Sequence, residues 1–193
     1  MEDALGNLFI AFSEDRAVKP RQTGLTIVRD NGLGLNHAED MVRVAGEYID
    51  IIKLEHGTEA LYDKDLIEKK IDLYNSHNVD TMAGEDILEV AIWNRIAEDY
   101  LERAKDLGIS IISIPRGTIA MRQEIREDII KRSIHRGFKV ITILGRRHPE
   151  EELSWSLVLQ LISDDLKLGV FKVLIRAERN SSGFGICDSQ RVT

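Results

Sequence analysis

A chain of 193 residues, 43% hydrophobic and 31% charged, can bury one substantial core and is too apolar to be disordered throughout. Its formal net charge of -7 excludes a broad nucleic-acid surface, which needs a basic footprint, but leaves room for a small basic pocket. With Cys187 as its single cysteine, no basic-then-apolar leader and no apolar run of about 18 residues, it is expected to be cytoplasmic, without disulfides or membrane association.

Residues 1–23 read as an N-terminal arm: the apolar patch "LFIAF" leads into mixed charge, and Pro20 and Gly24 flank the passage to the first regular element. From 24 to 193 a single domain is expected. Strand-like runs occur at 25–30, 48–55, 79–83, 109–114, 138–144 and 170–177. Between them, residues 36–47, 64–77, 86–107, 120–136 and 149–168 carry helical spacing. β-branched strands separated by helical segments are the signature of repeated βα units around a parallel sheet. Gly108, Gly137 and Gly169 each follow a helical segment and precede a strand, where a left-handed C-terminal residue belongs. No strand is followed by GxGxxG or GxxxxGK[ST], which removes the best support for a nucleotide-binding open sheet. The expected fold is a TIM-barrel-like parallel (β/α) repeat with about six recognisable strands. It would be an incomplete or truncated barrel, because eight units take about 250 residues.

In parallel α/β architectures ligands bind at the C-terminal ends of the strands. Strand one ends in Asp30, Asn31, Gly32 and Gly34. Along strand two the period of two places Lys53 and Glu55 on one face with Ile51. Strand three ends in Glu85 and Asp86, strand four in Arg116, strand five in Arg146 and Arg147, and strand six in Arg176, Glu178 and Arg179 before a Ser181-containing turn. Lys53 either snorkels at its strand end or projects into a pocket, where its point charge suits a phosphate or a developing enolate. The arginines suit bidentate clamps on phosphate, carboxylate or sulfonate, or else they are solvated loop residues. Asp30, Glu55, Glu85 and Asp86 could offer oxygen ligands to Mg2+, although helix capping accounts for Asp86 equally well. The five histidines show no zinc-ligand spacing, and only His56 falls near these strand ends.

Residues 24–71, with the later segments "GEDILE" (84–89), "GRR" (145–147) and "AERNSSGFGIC" (177–187), resemble the phosphosulfolactate synthase family. The resemblance implies a TIM barrel, an oligomer, and Mg2+-dependent addition of sulfite to phosphoenolpyruvate, a step toward coenzyme M. It further implies that Mg2+ stabilises the enolate-like form, that basic residues hold phosphate and sulfite, and that a lysine-type acid protonates the product carbon. By position, Asp30 and Asn31 keep the family's first turn, Lys53, Gly57 and Thr58 its second, and Glu89 an acid of its third. Arg146 and Arg147 stand for a cationic pair. The departures are Glu59 in place of a small hydroxyl residue, Ser113 and Arg116 on strand four, and Ile143 and Arg176 where glutamates are expected, with Glu178 one shift away. Losing carboxylates and gaining arginine weakens a dication site.

The resulting assignment makes Lys53, Arg146 and Arg147 catalytic. It gives substrate binding to Asn31, Arg116, Arg176, Arg179 and Ser181, and Mg2+ to Asp30, Glu55, Glu85 and Glu178. The expected function is a synthase-like lyase, its activity altered or lost, in a homo-oligomer acting on a small anionic metabolite. The alternatives are a non-catalytic binding or regulatory protein for a phosphorylated or carboxylated anion, and a structural oligomer without a ligand.

Overall fold

The computed structural model describes residues 16–116, 121–145 and 154–175, with the backbone of 179–180 and 183–184. Its elements run β1 (Ile27–Asp30), α1 (Leu35–Ala45), β2 (Ile51–Leu54), α2 (Thr58–Leu61), α3 (Lys64–Ser76), β3 (Asp80–Ala83), α4 (Glu85–Trp93), α5 (Ala97–Asp106), β4 (Ile111–Pro115), α6 (Gln123–His135), β5 (Lys139–Leu144), α7 (Trp155–Lys167) and β6 (Lys172–Ile175). A short antiparallel pair, β7 (Arg179–Asn180) with β8 (Gly183–Phe184), follows.

Helices α3 to α7 leave by one device. A residue just past each helix adopts positive φ: Asn78 at 54°, Arg95 at 61°, Gly108 at 84°, Gly137 at 79° and Gly169 at 91°. Its N–H and the next one then turn back onto carbonyls of the last turn, as when Gly108 N–H reaches Lys105 O at 2.9 Å and Ile109 N–H reaches Ala104 O at 3.1 Å. The three glycine exits are those expected from sequence. The segment 86–107, expected as one helix, is two. Arg95 takes the left-handed position, and Ile96 N–H donates to Ala91 O at 2.9 Å, which closes α4 before α5 begins. Arginine carries no local mark of such a turn, so the break is absent from the pattern.

The six strands lie in the order β1-β2-β3-β4-β5-β6, every neighbouring pair parallel. Because each strand sits beside its predecessor, the crossover helices all fall on one side of the sheet. The packing bears this out. Val28, Ile52, Ala83, Ile112, Ile114 and Val140 meet helix residues such as Ala38, Val42, Tyr74, Ile67, Leu88, Leu101 and Ile130. The opposite face buries Ile51, Met82, Ile111 and Ile141 against Ile27, Phe171 and Leu174, with no helix residue in that cluster. A sheet with all helices outside and a side-chain core inside is a curled, TIM-barrel-like half-barrel.

Two ionic features tie the outer layer together. Arg126 on α6 makes a two-pronged pair with Asp165 on α7, at 2.6 and 2.7 Å, both residues buried. At the N-terminal end of the strands, Lys19 donates to Gly46 O and His77 O, past the ends of α1 and α3, and Arg21 bonds Asp50 and Glu47 O. No described helix is long and apolar enough to cross a membrane.

Candidate active site

The curl of the sheet encloses a cavity of about 540 Å³ at the C-terminal strand ends, lined from β1 (Ile27, Arg29) round to β6 (Leu174). Alternation along β2 sends Ile51, Lys53 and Glu55 to the concave face, and the register sets Lys53 between Arg29 and Met82. Lys53 is 6% exposed and its Nζ lies 2.9 Å from Glu55 Oε1. The same ammonium pairs with Glu85, the first residue of α4. Gly84 makes that approach possible, since a Cβ there would come within 2.7 Å of Leu54 O. Arg29, largely exposed, adds a second contact to Glu55 Oε1 at 2.8 Å. Two buried carboxylates therefore hold one buried ammonium, which can neither swing to solvent nor lose its partners without cost.

His56 and Asp86 complete the polar rim, with Ile143 and Leu174 in the wall. His56 and Gly57 both adopt positive φ, 58° and 70°, so the chain reverses sharply between β2 and α2. Ile143, the neutral residue noted in the sequence, faces the cavity.

Asp30, expected beside Glu55 and Glu85, is elsewhere. As the last residue of β1 it points outward and is fully buried against α3. Its Oδ2 takes Lys70 Nζ at 2.5 Å and Tyr74 OH at 2.8 Å, and its Oδ1 takes the amides of Gly32 at 2.9 Å and Leu33 at 2.7 Å. Burial pushes its pKa up, but these bonds prevail and leave the carboxyl below its ordinary value. One carboxyl oxygen shapes the β1–α1 turn and the other is taken up by α3, which removes Asp30 from the oxygen set of the cavity. Lys70 and Tyr74 were missed by sequence reasoning. The available signal was a lysine on the apolar stripe formed by Ile67, Ile71 and Tyr74.

Asn31 is exposed in that turn. Arg116 is partly buried at the end of β4. Its N–H bonds Ile143 O at 3.0 Å, and its Nη1 is buried without a partner among the described residues. Ser113 is fully buried and donates to Ala83 O at 2.6 Å, a link between strands and not a cavity group. Arg146, Arg147, Arg176, Glu178 and Ser181 lie outside the described residues, and Arg179 is described only by its backbone in β7.

A second residue that sequence reasoning left without a role is Glu59 in α2. Both its carboxyl oxygens are buried and make no hydrogen bond among the described residues. Burial, reinforced by the charges of Asp86 and Glu55, raises its pKa from 4.5 to about 7. The amides of Glu59 and Gly84 offset this only in part, at a geometry short of a hydrogen bond. The folded state thus binds this proton more tightly than the unfolded chain, and the associated stability is complete below pH 4.5 and lost as pH rises through about 7. Relative to Glu59→Gln, the natural protein is expected to lose up to roughly 3 kcal/mol across that window. Urea titrations of both proteins at pH 5 and pH 8 check this; parallel pH profiles would refute it.

The oxygen donors meet only part of what magnesium requires. Asp30 is turned away, Glu55 and Glu85 are bridged by Lys53 where a dication would have to sit, and Glu178 is not described. Among the described residues no three carboxyl, imidazole or thiol groups converge as a metal set. The described residues therefore do not fit a resident magnesium ion.

Residues 14–193 match the family model for (2R)-phospho-3-sulfolactate synthase (ComA). The phosphosulfolactate synthase of Methanothermobacter thermautotrophicus is 31% identical over 186 residues, covering 95% of this chain and 72% of that protein. The phosphosulfolactate synthase of Methanocaldococcus jannaschii is 31% identical over 171 residues, covering 88% and 68%. Among solved structures, a lyase/mutase from Burkholderia cenocepacia aligns over 77% of this chain and 53% of its own, with TM-score 0.48 and 19% identity. With the matched segment running through every strand of the sheet, the chain belongs to the phosphosulfolactate synthase family.

Proposed function

We propose that this protein is a phosphosulfolactate synthase-like lyase that adds sulfite to phosphoenolpyruvate in the cavity at the C-terminal ends of β1 to β6. The observation that carries the reading is the buried Lys53 ammonium, held on the concave face by Glu55 and Glu85. In the addition, the sulfur lone pair of sulfite forms the C–S bond at the methylene carbon. The π pair moves toward the neighbouring carbon and its carboxylate, and a proton on that carbon completes the product. A fixed ammonium beside the developing negative charge lowers the barrier without reorganising during the step, and the same group is a proton source. The described rim carries two cations, Arg29 and Lys53, against the three carboxylates Glu55, Glu85 and Asp86. Phosphate and sulfite therefore need further cations. Arg116, with its buried Nη1, and the arginines at 146, 147, 176 and 179 are the residues the chain offers.

A second reading, anion binding without turnover, is favoured by Ile143, an apolar wall where a carboxylate would assist the chemistry. Incubation with phosphoenolpyruvate and sulfite, with and without added Mg2+, followed by phosphorus NMR, separates the two. Phosphosulfolactate is the expected product. Thermal protection by phosphoenolpyruvate without product would shift the assignment to the binding reading. Neither product nor protection would remove both.

A further inference from the structure

A second cavity, of about 440 Å³, lies on the helix side of the sheet between α2–α3 and α4–α5. Its walls are apolar, formed by Ile67, Ile87, Ala104, Leu107 and Ile109. Its polar groups are unusual. The Glu59 carboxyl oxygens and the Tyr100 hydroxyl are buried there, and none has a hydrogen-bond partner among the described residues. Buried polar atoms left unsatisfied cost free energy, and their clustering in one cavity marks a place where something else completes them.

We propose that this cavity is a ligand site, separate from the Lys53 cavity, that takes a small aliphatic primary amine in its ammonium form. An ammonium has three donors and no acceptor, which matches two carboxylate oxygens and one phenol oxygen. Its alkyl chain is matched by the five apolar wall residues. Glu55 and Asp86, near enough to push the Glu59 carboxyl toward its protonated form, add a negative field that favours a cation and repels an anion. At the mouth, Lys64 and Arg103 oppose Asp106, all three on the solvent side where charge is screened. Burial and the nearby Glu59 charge also raise the Tyr100 hydroxyl, which therefore stays protonated and can turn its lone pair to the ligand. The inference stands apart from the synthase reading, because no residue of the Lys53 triad lines this cavity.

The test is isothermal titration of the full chain with n-pentylamine at pH 7, in two buffers of different ionisation enthalpy. 1-Pentanol and pentanoate serve as comparison ligands. One saturable amine site is expected, stronger than for pentanol and absent for pentanoate. Because the amine selects ionised Glu59, binding should release about half a proton per site at this pH. Glu59→Gln, which retains the fold on the stability argument above, should weaken binding roughly tenfold or more and abolish the proton release. Tyr100→Phe, a milder change, should weaken binding while leaving the release intact. No saturable amine binding at millimolar concentration, equal binding of pentanoate, or unchanged affinity in Glu59→Gln would each overturn the proposal.

Discussion

Lys53→Met is expected to abolish turnover and, at neutral pH, to cost the fold about 3–5 kcal/mol, the usual penalty for removing one partner from a buried ionic group. The reason is geometric. Glu55 and Glu85 are both buried and share the Lys53 ammonium, so methionine leaves two carboxylates facing each other with only the exposed Arg29 nearby among the described contacts of Glu55. Urea unfolding at pH 7.5, with the product assay beside it, measures both effects. A stable variant without activity would show that the carboxylates find other partners. A stable and active variant would remove Lys53 from the site altogether.

Arg126→Ala is expected to destabilise the protein by a similar amount, about 3–5 kcal/mol, through a group far from any proposed chemistry. Arg126 and Asp165 are 2% and 1% exposed and joined through both guanidinium Nη atoms. They hold α6 against α7 over the β5–β6 side of the sheet. Alanine strands the Asp165 carboxylate between two helices. Arg126→Met combined with Asp165→Leu should restore most of the loss, because two apolar side chains of similar size remove both charges together. Thermal unfolding of the three proteins decides it. A single variant that unfolds with the natural protein would mean that water reaches Asp165.

The difference between these two ion groups shows which parts of the site were legible. Lys53 and Glu55 lie two residues apart on one strand, so the period of two alone places them on a common face, and Glu85 starts the helix after the adjacent strand. Their convergence is readable before any coordinates. Arg126 and Asp165 are 39 residues apart on different helices, and neither departs from the composition of an exposed helix face. Asp30 is the instructive case. Its position at a strand end matches a ligand residue in every local respect, but Lys70 and Tyr74, 40 and 44 positions later, claim its carboxylate from the other side of the sheet. Glu59 and Tyr100 share a cavity across a similar distance in sequence.

Periodicity and turn chemistry are properties of a few neighbouring residues. The alternation of strands and helices and the three glycine exits were therefore legible in the chain, whereas the break at Arg95 was not. Partnership is a property of space. Whether a carboxylate opens into a cavity, ties down a turn or waits unpaired behind a helix depends on which distant side chain the folded sheet brings to it. That is why Asp30, Glu55 and Glu59, three acids near adjacent strand ends, have three different surroundings.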